Sequence, residues 1–245
     1  MEGSSPSEPP VMPWGVADLA VFGSFFALTL WFLPTVFVFI AGKFISGVSV
    51  SNLSGEAQIL IQSVLDILWV GFIFFLIKVI HRQRILESIH WIRTQHFRKS
   101  NLIAIGAALA LAVLIVSSFF PPKSAPPIAK LVESTGSLYV LVAFGVLFAP
   151  LAEEVMFRGF FFTVLDELGG PRVAVPCTAL LFAFVHAPQL WGSWAGIVLI
   201  FVVGYILSVI RQRSNSLIPS LIVHTAYNSM LFCMSVLLGL LQRGK

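Results

Sequence analysis

The sequence predicts an all-α, polytopic helical membrane protein with about seven transmembrane helices. Hydrophobic residues make up 58% of the 245 residues and charged residues only 11%. The mean hydropathy is +0.94. Most of the apolar stretches reach the roughly 20 residues that a helix needs to cross a 30 Å hydrocarbon core. These observations exclude a soluble globular protein, and one helical membrane domain is enough to account for the chain.

Seven apolar stretches are predicted to cross the bilayer. They cover residues 18–41, 57–80, 101–120, 137–165, 173–187, 193–210 and 217–240. The fifth stretch is short and runs into Pro188, where a helix is expected to stop.

The chain divides into three predicted regions. Residues 1–15 contain four prolines and no Lys or Arg, so we expect a disordered tail without the basic start of a cleaved signal peptide. Residues 16–120 form the N-terminal transmembrane helices. A proline-rich linker at 121–127 cannot be helical and separates them from a membrane core at 137–240.

Basic residues predict the orientation, because Lys and Arg in short loops resist translocation. Arg82, Arg84, Arg93, Arg98 and Lys99 follow the second span, and Arg211 and Arg213 follow the sixth. Both segments are therefore expected in the cytoplasm, which puts the N-terminus inside. If the source is bacterial, the membrane is the plasma membrane. The net charge of +4 suggests contact with anionic headgroups of the bilayer and not with nucleic acid.

The fourth span carries an unusual set of charges, Glu153, Glu154 and Arg158. Each charged residue near a helix centre costs roughly 2.5 to 3.5 kcal/mol on insertion, so these groups need partners or a chemical role. Consecutive helical residues point about 100° apart, so the two glutamates are not expected to face one small site. Glu154 and Arg158 are spaced i, i+4 and are predicted to form a supporting ion pair. Glu153 is then the carboxylate left for chemistry.

Polar residues on two later spans complete the set. His186 ends the fifth span, while His224 and Asn228 share one face of the seventh because they are spaced i, i+4. With a rise of about 1.5 Å per residue, Glu153, His186 and His224 can meet at a similar depth. The alternative is that they serve as polar contacts between helices, each worth only about 1 kcal/mol.

A buried carboxylate, two imidazoles and a carboxamide are suited to amide hydrolysis. Glu153 could take a proton from water and return it to the leaving amine, with His186 holding that water and His224 with Asn228 stabilising the oxyanion. Alternatively, Glu153, His186 and His224 could bind a divalent metal such as zinc, although the chain has no His-Glu-x-x-His run. Nothing indicates a nucleotide or redox cofactor.

The three motifs, Glu153-Glu154-x-x-x-Arg158, Phe182-x-x-x-His186 and His224-x-x-x-Asn228, resemble those of the CAAX protease and bacteriocin-processing (CPBP or Abi) family. The resemblance covers about residues 137 to 235. It implies an intramembrane endopeptidase related to the type II CAAX prenyl endopeptidases. It also implies that Glu153 and His186 activate water, that His224 and Asn228 stabilise the oxyanion, and that Glu154 and Arg158 support them. Family members are described both as metalloproteases and as glutamate proteases, so the cofactor stays open.

Three functional alternatives follow. The first is a protease whose partner is a membrane-associated protein or peptide substrate. The second is a non-catalytic member of the same family that binds a partner or confers bacteriocin immunity. A transporter is a weaker third alternative because the sequence shows no internal repeat. The sequence predicts neither the natural substrate nor the oligomeric state.

Overall fold

The computed structural model describes residues 14–44, 49, 53–94, 97–122, 142 and 144–243. The predicted tail lies outside the described residues except for its last two positions. Residues 123–127 of the predicted linker and the start of the fourth predicted span also lie outside them.

Three long helices and one short one are described in the N-terminal half. Helix α1 covers Val16–Ala41, α3 is the single turn Ile85–Ser88, and α4 covers Lys99–Phe119. Helix α2 covers Gly55–Phe75 and continues as a π-helical turn over Leu76–Ile80. The long helices lie within two residues of the predicted bounds of the first three spans.

The described residues of the C-terminal half form four helical runs. Helix α5, residues 144–169, consists of a π segment Phe144–Phe148, an α segment Ala149–Glu154, a π segment Val155–Phe161 and an α segment Phe162–Gly169. Helix α6 covers Pro171–His186, α7 covers Trp194–Ser214 and α8 covers Leu217–Arg243.

Two left-handed residues separate these helices. Gly170 has a φ of 70°, and Pro171 then occupies the first turn of α6, where its missing N–H is not needed. Asn215 has a φ of 46° and turns the chain from α7 into α8. Both reversals place consecutive helices side by side.

The structure confirms an all-α, multi-pass membrane protein. Within the described residues it contains no strand, and five helices are long and apolar enough to cross a membrane. Helix α6 is apolar but shorter, as predicted for the fifth span. The fourth predicted span corresponds to α5, whose helix is divided by π segments.

Close helix packing depends on two glycines. A Cβ at Gly106 of α4 would overlap the backbone of Val223 and lie 2.7 Å from the Cβ of Ala226, both on α8. A Cβ at Gly204 of α7 would lie 3.3 Å from the Cα of Ala179 on α6. The backbones of these two helix pairs can therefore approach closely, as small residues allow in membranes.

Residues 85–92, which we call the strap, belong to the N-terminal half and contact the C-terminal half. The Ile89 side chain is 2% exposed and packs against Gly159 of α5 and Leu217 of α8. The Leu217 N–H donates to the carbonyl of His90 at 2.9 Å, and the Ser216 hydroxyl donates to the carbonyl of Ile92 at 2.5 Å. The strap thus holds the end of α7, the start of α8 and the middle of α5 together.

Candidate active site

Glu153 lies on α5 between two histidines that come from other helices. Its Oε1 is 3.9 Å from Nε2 of His186 on α6, and its Oε2 is 3.6 Å from Nε2 of His224 on α8. The Glu153 side chain keeps 19% of its surface exposed. The structure therefore brings together three of the four residues predicted to carry the chemistry, on three helices.

The imidazole of His186 has a fixed orientation. Its Nδ1 lies 2.7 Å from the carbonyl oxygen of Phe182, one turn earlier in α6. A carbonyl oxygen only accepts, so Nδ1 carries the hydrogen and Nε2 is left facing Glu153. The Phe182 ring lies 4.5 Å from the His186 ring and 5.8 Å from the His224 ring, measured between centroids.

His224 lies between the two consecutive glutamates. Its Nδ1 donates to Oε1 of Glu154 at 3.0 Å, while Nε2 faces Glu153 from the other side of the ring. The expectation that the two glutamates would not face one small site is therefore wrong. Helical geometry does point the carboxylates apart, but an imidazole has nitrogens on both sides and is long enough to reach both.

Glu154 and Arg158 form the predicted ion pair. The Arg158 guanidinium donates to Oε1 of Glu154 at 2.8 Å, and both side chains are fully buried. A second guanidinium nitrogen donates to the carbonyl of Gly204 on α7 at 2.8 Å, and the guanidinium carbon lies 4.7 Å from the centre of the Phe182 ring. Arg158 thus joins α5, α6 and α7 around the carboxylate that holds His224.

Asn228 faces the same helix as His224, as their spacing predicts. Its amide nitrogen donates to the carbonyl of Gly145 in the first π segment of α5 at 2.7 Å. A carboxamide has two N–H groups, so one remains for another acceptor. The proposed role of Asn228 in binding an oxyanion depends on that second N–H and stays a prediction.

The fit of this donor set to a metal can be tested from its geometry. The two Nε2 atoms and the Glu153 carboxylate face one another, which is a chemically suitable set for zinc. Within the part of the chain that the structure describes, however, no three His, Cys, Asp or Glu side chains meet the geometry of a metal site. A metal held by Glu153, His186 and His224 therefore stays a separate prediction.

An apolar cavity of about 420 Å³ lies beside α5. Helix α2, the strap and α5 form its walls, through side chains such as Phe74, Trp91 and Val155. Asp66 of α2 also lines it; this carboxyl is 3% exposed and accepts a hydrogen bond from the Gln62 amide at 2.8 Å. The cavity borders the helix segment that carries Glu153.

Sequence reasoning missed one buried cation near this site. We counted Arg211 among the cytoplasmic loop residues that set the orientation, but it lies inside α7 and is 2% exposed. Its neighbour Arg213 is exposed, as predicted. A count of Lys and Arg could not separate the two, although their spacing of two places them on different faces of a helix.

Comparison with known proteins agrees with the predicted resemblance. The model of the family described as "Type II CAAX prenyl endopeptidase Rce1-like" matches residues 135–230, close to the 137–235 that we predicted. UPF0177 protein YxdF of Lactococcus lactis subsp. lactis (strain IL1403) is 27% identical over 143 residues, which are 58% of this chain and 75% of that protein. No solved structure matches the chain.

Proposed function

We propose that this multi-pass membrane protein is an intramembrane endopeptidase, a proposal supported by the match of its residues 135–230 to the model of the Rce1-like type II CAAX prenyl endopeptidases. The single observation that carries the proposal is the convergence of His186 Nε2 and His224 Nε2 on the two oxygens of Glu153, at 3.9 and 3.6 Å. Glu153 would be the base that activates water.

The distances favour a water molecule between Glu153 and His186. An ionised carboxylate and the Nε2 of a neutral imidazole both accept hydrogen bonds, so they cannot bond to each other directly. A water molecule can donate one hydrogen to each. When Glu153 removes a proton from this water, the oxygen attacks the carbonyl carbon of the scissile peptide bond and forms a tetrahedral oxyanion.

The second half of the reaction uses α8. The Nδ1–H of His224 donates a hydrogen bond to Glu154. We propose that the ring acts as an imidazolium whose positive charge is balanced by Glu153 and Glu154, so that its Nε2–H donates to the oxyanion, with the free N–H of Asn228 as the second donor. Collapse of the intermediate breaks the C–N bond, and Glu153 returns its proton to the leaving amine. The products are a carboxylate and an amine, and no redox partner is needed.

The surroundings of the site suggest a membrane-associated substrate. The cavity next to α5 is lined almost entirely by apolar side chains, so it suits an apolar side chain or a lipid group of the substrate. The long apolar helices support a bilayer environment for the site. We therefore propose a peptide or protein substrate that is held at the membrane.

The proposal can be tested with purified protein in lipid nanodiscs and a library of quenched fluorescent peptides, with and without a lipid group. We expect Glu153→Gln to reduce cleavage at least about a hundredfold, because it removes the base. Glu167→Gln is the matched control, since Glu167 is an exposed glutamate on the same helix. Cleavage by Glu153→Gln at the rate of the control would overturn the proposal.

A further inference from the structure

We propose that Arg211 is a positioning residue for this active site, which it serves by holding the second π segment of α5 in place. This inference rests on the proposed function. Arg211 lies near the end of α7 and is 2% exposed, so it neither touches the substrate nor contributes to the charged surface.

The hydrogen bonds of the Arg211 guanidinium go to α5 and to the turn after α7. Its Nε donates to the backbone carbonyl of Arg158 at 3.1 Å, and one terminal nitrogen points to the Thr163 hydroxyl at 3.4 Å. The other terminal nitrogen lies 3.4 Å from the Asn215 side-chain oxygen. The guanidinium carbon also lies 5.1 Å from the centre of the Phe162 ring. Two of the three polar contacts therefore bind α5 directly.

Arg211 contacts α5 within its second π segment, at Arg158, and just after it, at Thr163. Val155–Phe161 is π-helical, and π turns replace the i→i+4 hydrogen bonds of an α-helix with wider i→i+5 bonds. Such turns are rare, and in the role proposed for Arg211 this one depends on its neighbours for support. Arg211 lies on α7 and provides this support by donating a hydrogen bond to the backbone carbonyl of a residue within the π segment.

This residue is Arg158, the cation on which the site depends. The side chain of Arg158 fixes Glu154 at 2.8 Å, and Glu154 fixes His224 at 3.0 Å. A shift of the Arg158 backbone would therefore move the ion pair and, with it, the imidazole opposite Glu153. Misplacement of reacting groups by about 1 Å can cost about a hundredfold in rate.

The burial of Arg211 supports a specific role. A buried guanidinium is costly unless its donors are satisfied, and an apolar residue at this position would avoid that cost. An apolar residue, however, could not donate to the Arg158 carbonyl and reach Thr163 at the same time. The planar fork of arginine can do both, and lysine cannot.

The test compares Arg211→Gln and Arg211→Lys with Arg213→Gln, an exposed arginine two residues later on the same helix. We expect Arg211→Gln to lower kcat about tenfold or more while KM changes less than twofold, and Arg213→Gln to behave like the wild type. Arg211→Lys should recover only a minor part of the loss, because it keeps the charge without the fork. Full rescue by lysine, or an unchanged kcat in Arg211→Gln, would contradict the inference.

A second variant covers the case in which Arg211→Gln folds poorly. Thr163→Val keeps the size of the side chain while it removes an acceptor of Arg211, together with the hydrogen bond that the Thr163 hydroxyl donates to the Gly159 carbonyl at 2.8 Å. We expect a smaller loss of kcat in this variant, and we expect the double variant with Arg211→Lys to lose less than the two single losses combined. Independent effects of the two changes would show that Arg211 does not act through α5.

Amide hydrogen exchange separates this inference from the proposed function. Protection of residues 155–163 should fall in Arg211→Gln and stay unchanged in Arg213→Gln, with or without a known substrate. Equal protection in both variants overturns the role of Arg211. By contrast, a wild-type protein that cleaves no peptide, with the expected change in exchange, overturns the proposed peptidase and leaves the support of α5 by Arg211 in place.

Discussion

The Nδ1 of His224 donates a hydrogen bond to Oε1 of Glu154 at 3.0 Å, across 70 residues of sequence. The same oxygen accepts from Arg158 at 2.8 Å. Glu154 is therefore more than one half of an ion pair, because it also fixes which nitrogen of His224 carries a hydrogen. The adjacent glutamate, Glu153, faces the opposite nitrogen of the ring.

The first prediction concerns Glu154→Gln. This change leaves the fully buried Arg158 without its carboxylate, and breaking a buried ion pair costs about 3 to 5 kcal/mol. We expect both a lower free energy of unfolding and a loss of cleavage, measured by thermal unfolding and by peptide hydrolysis in the same nanodiscs. The control is Glu87→Gln, which breaks the exposed pair with Arg84 and should change stability by less than about 1 kcal/mol.

The outcome also tests which glutamate does the chemistry. A Glu154→Gln protein that is as stable as the wild type yet inactive would show that Glu154 and Glu153 have been assigned the wrong way round.

The second prediction concerns the packing of α4 against α8. Gly106→Ala adds a Cβ that overlaps the Val223 backbone, so we expect it to destabilise the protein by about 1 to 3 kcal/mol. Gly23→Ala on α1 is the control, because a Cβ there meets no atom within 4 Å; it should be neutral or stabilising by up to about 1 kcal/mol. Equal unfolding temperatures for the two variants would contradict this prediction, because they would mean that α4 and α8 can move apart at Gly106 without a loss of stability.

The third prediction concerns the dependence of stability on pH. Burial, and then the nearby charge of Arg211, lower the pKa of His90 in the strap from 6.5 to about 4. Between these two values the unfolded chain binds more protons than the folded protein, so stability should fall as the pH decreases from about 6.5 to about 4. His90→Asn should flatten this part of the profile, because Asn tolerates the φ of 54° at this position and does not titrate.

Thermal unfolding of both proteins at several pH values checks this third prediction. His81, which pairs with Asp18 at 2.8 Å, provides a control, because His81→Asn should leave the slope from His90 in place. An unaltered profile in His90→Asn would contradict it.

The fourth prediction concerns metals. Direct activation of water by Glu153 predicts that cleavage continues after stringent chelation, in samples whose metal content is measured by elemental analysis. Cleavage that stops on chelation and returns with zinc would instead support a metal held by Glu153, His186 and His224. Glu153→Gln serves as the inactive baseline for both arms.

The sequence predicted the helices well because span length and apolar composition depend on the bilayer and little on tertiary contacts. The observed bounds Val16–Ala41 and Pro171–His186 differ from the predicted ones by two residues or less at each end. The π segments were not predicted, since a wider turn leaves no pattern of apolar residues distinct from that of an α-helix. These segments contribute the Gly145 carbonyl that binds Asn228 and the Arg158 carbonyl that binds Arg211.

The sequence predicted only those features of the site that depend on spacing within one helix. The pairing of Glu154 with Arg158 follows from spacing within one helix, so sequence reasoning could identify it. The position of His224 between two glutamates depends on how α8 packs against α5, and the burial of Arg211 depends on how α7 packs there. Neither arrangement has a local signal, and both required the fold.

The contact between Ile89 and Gly159 has a consequence for how this protein can evolve. A Cβ at position 159 would lie 3.1 Å from the Cβ of Ile89, and Ile89 lies outside the segment that matches the Rce1-like family. A larger residue at 159 should therefore be accepted only together with a smaller one at 89. Among homologues that keep the strap, the residues at these two positions should covary. Substitutions in the N-terminal part of the chain would then constrain substitutions in the helix that carries the active site.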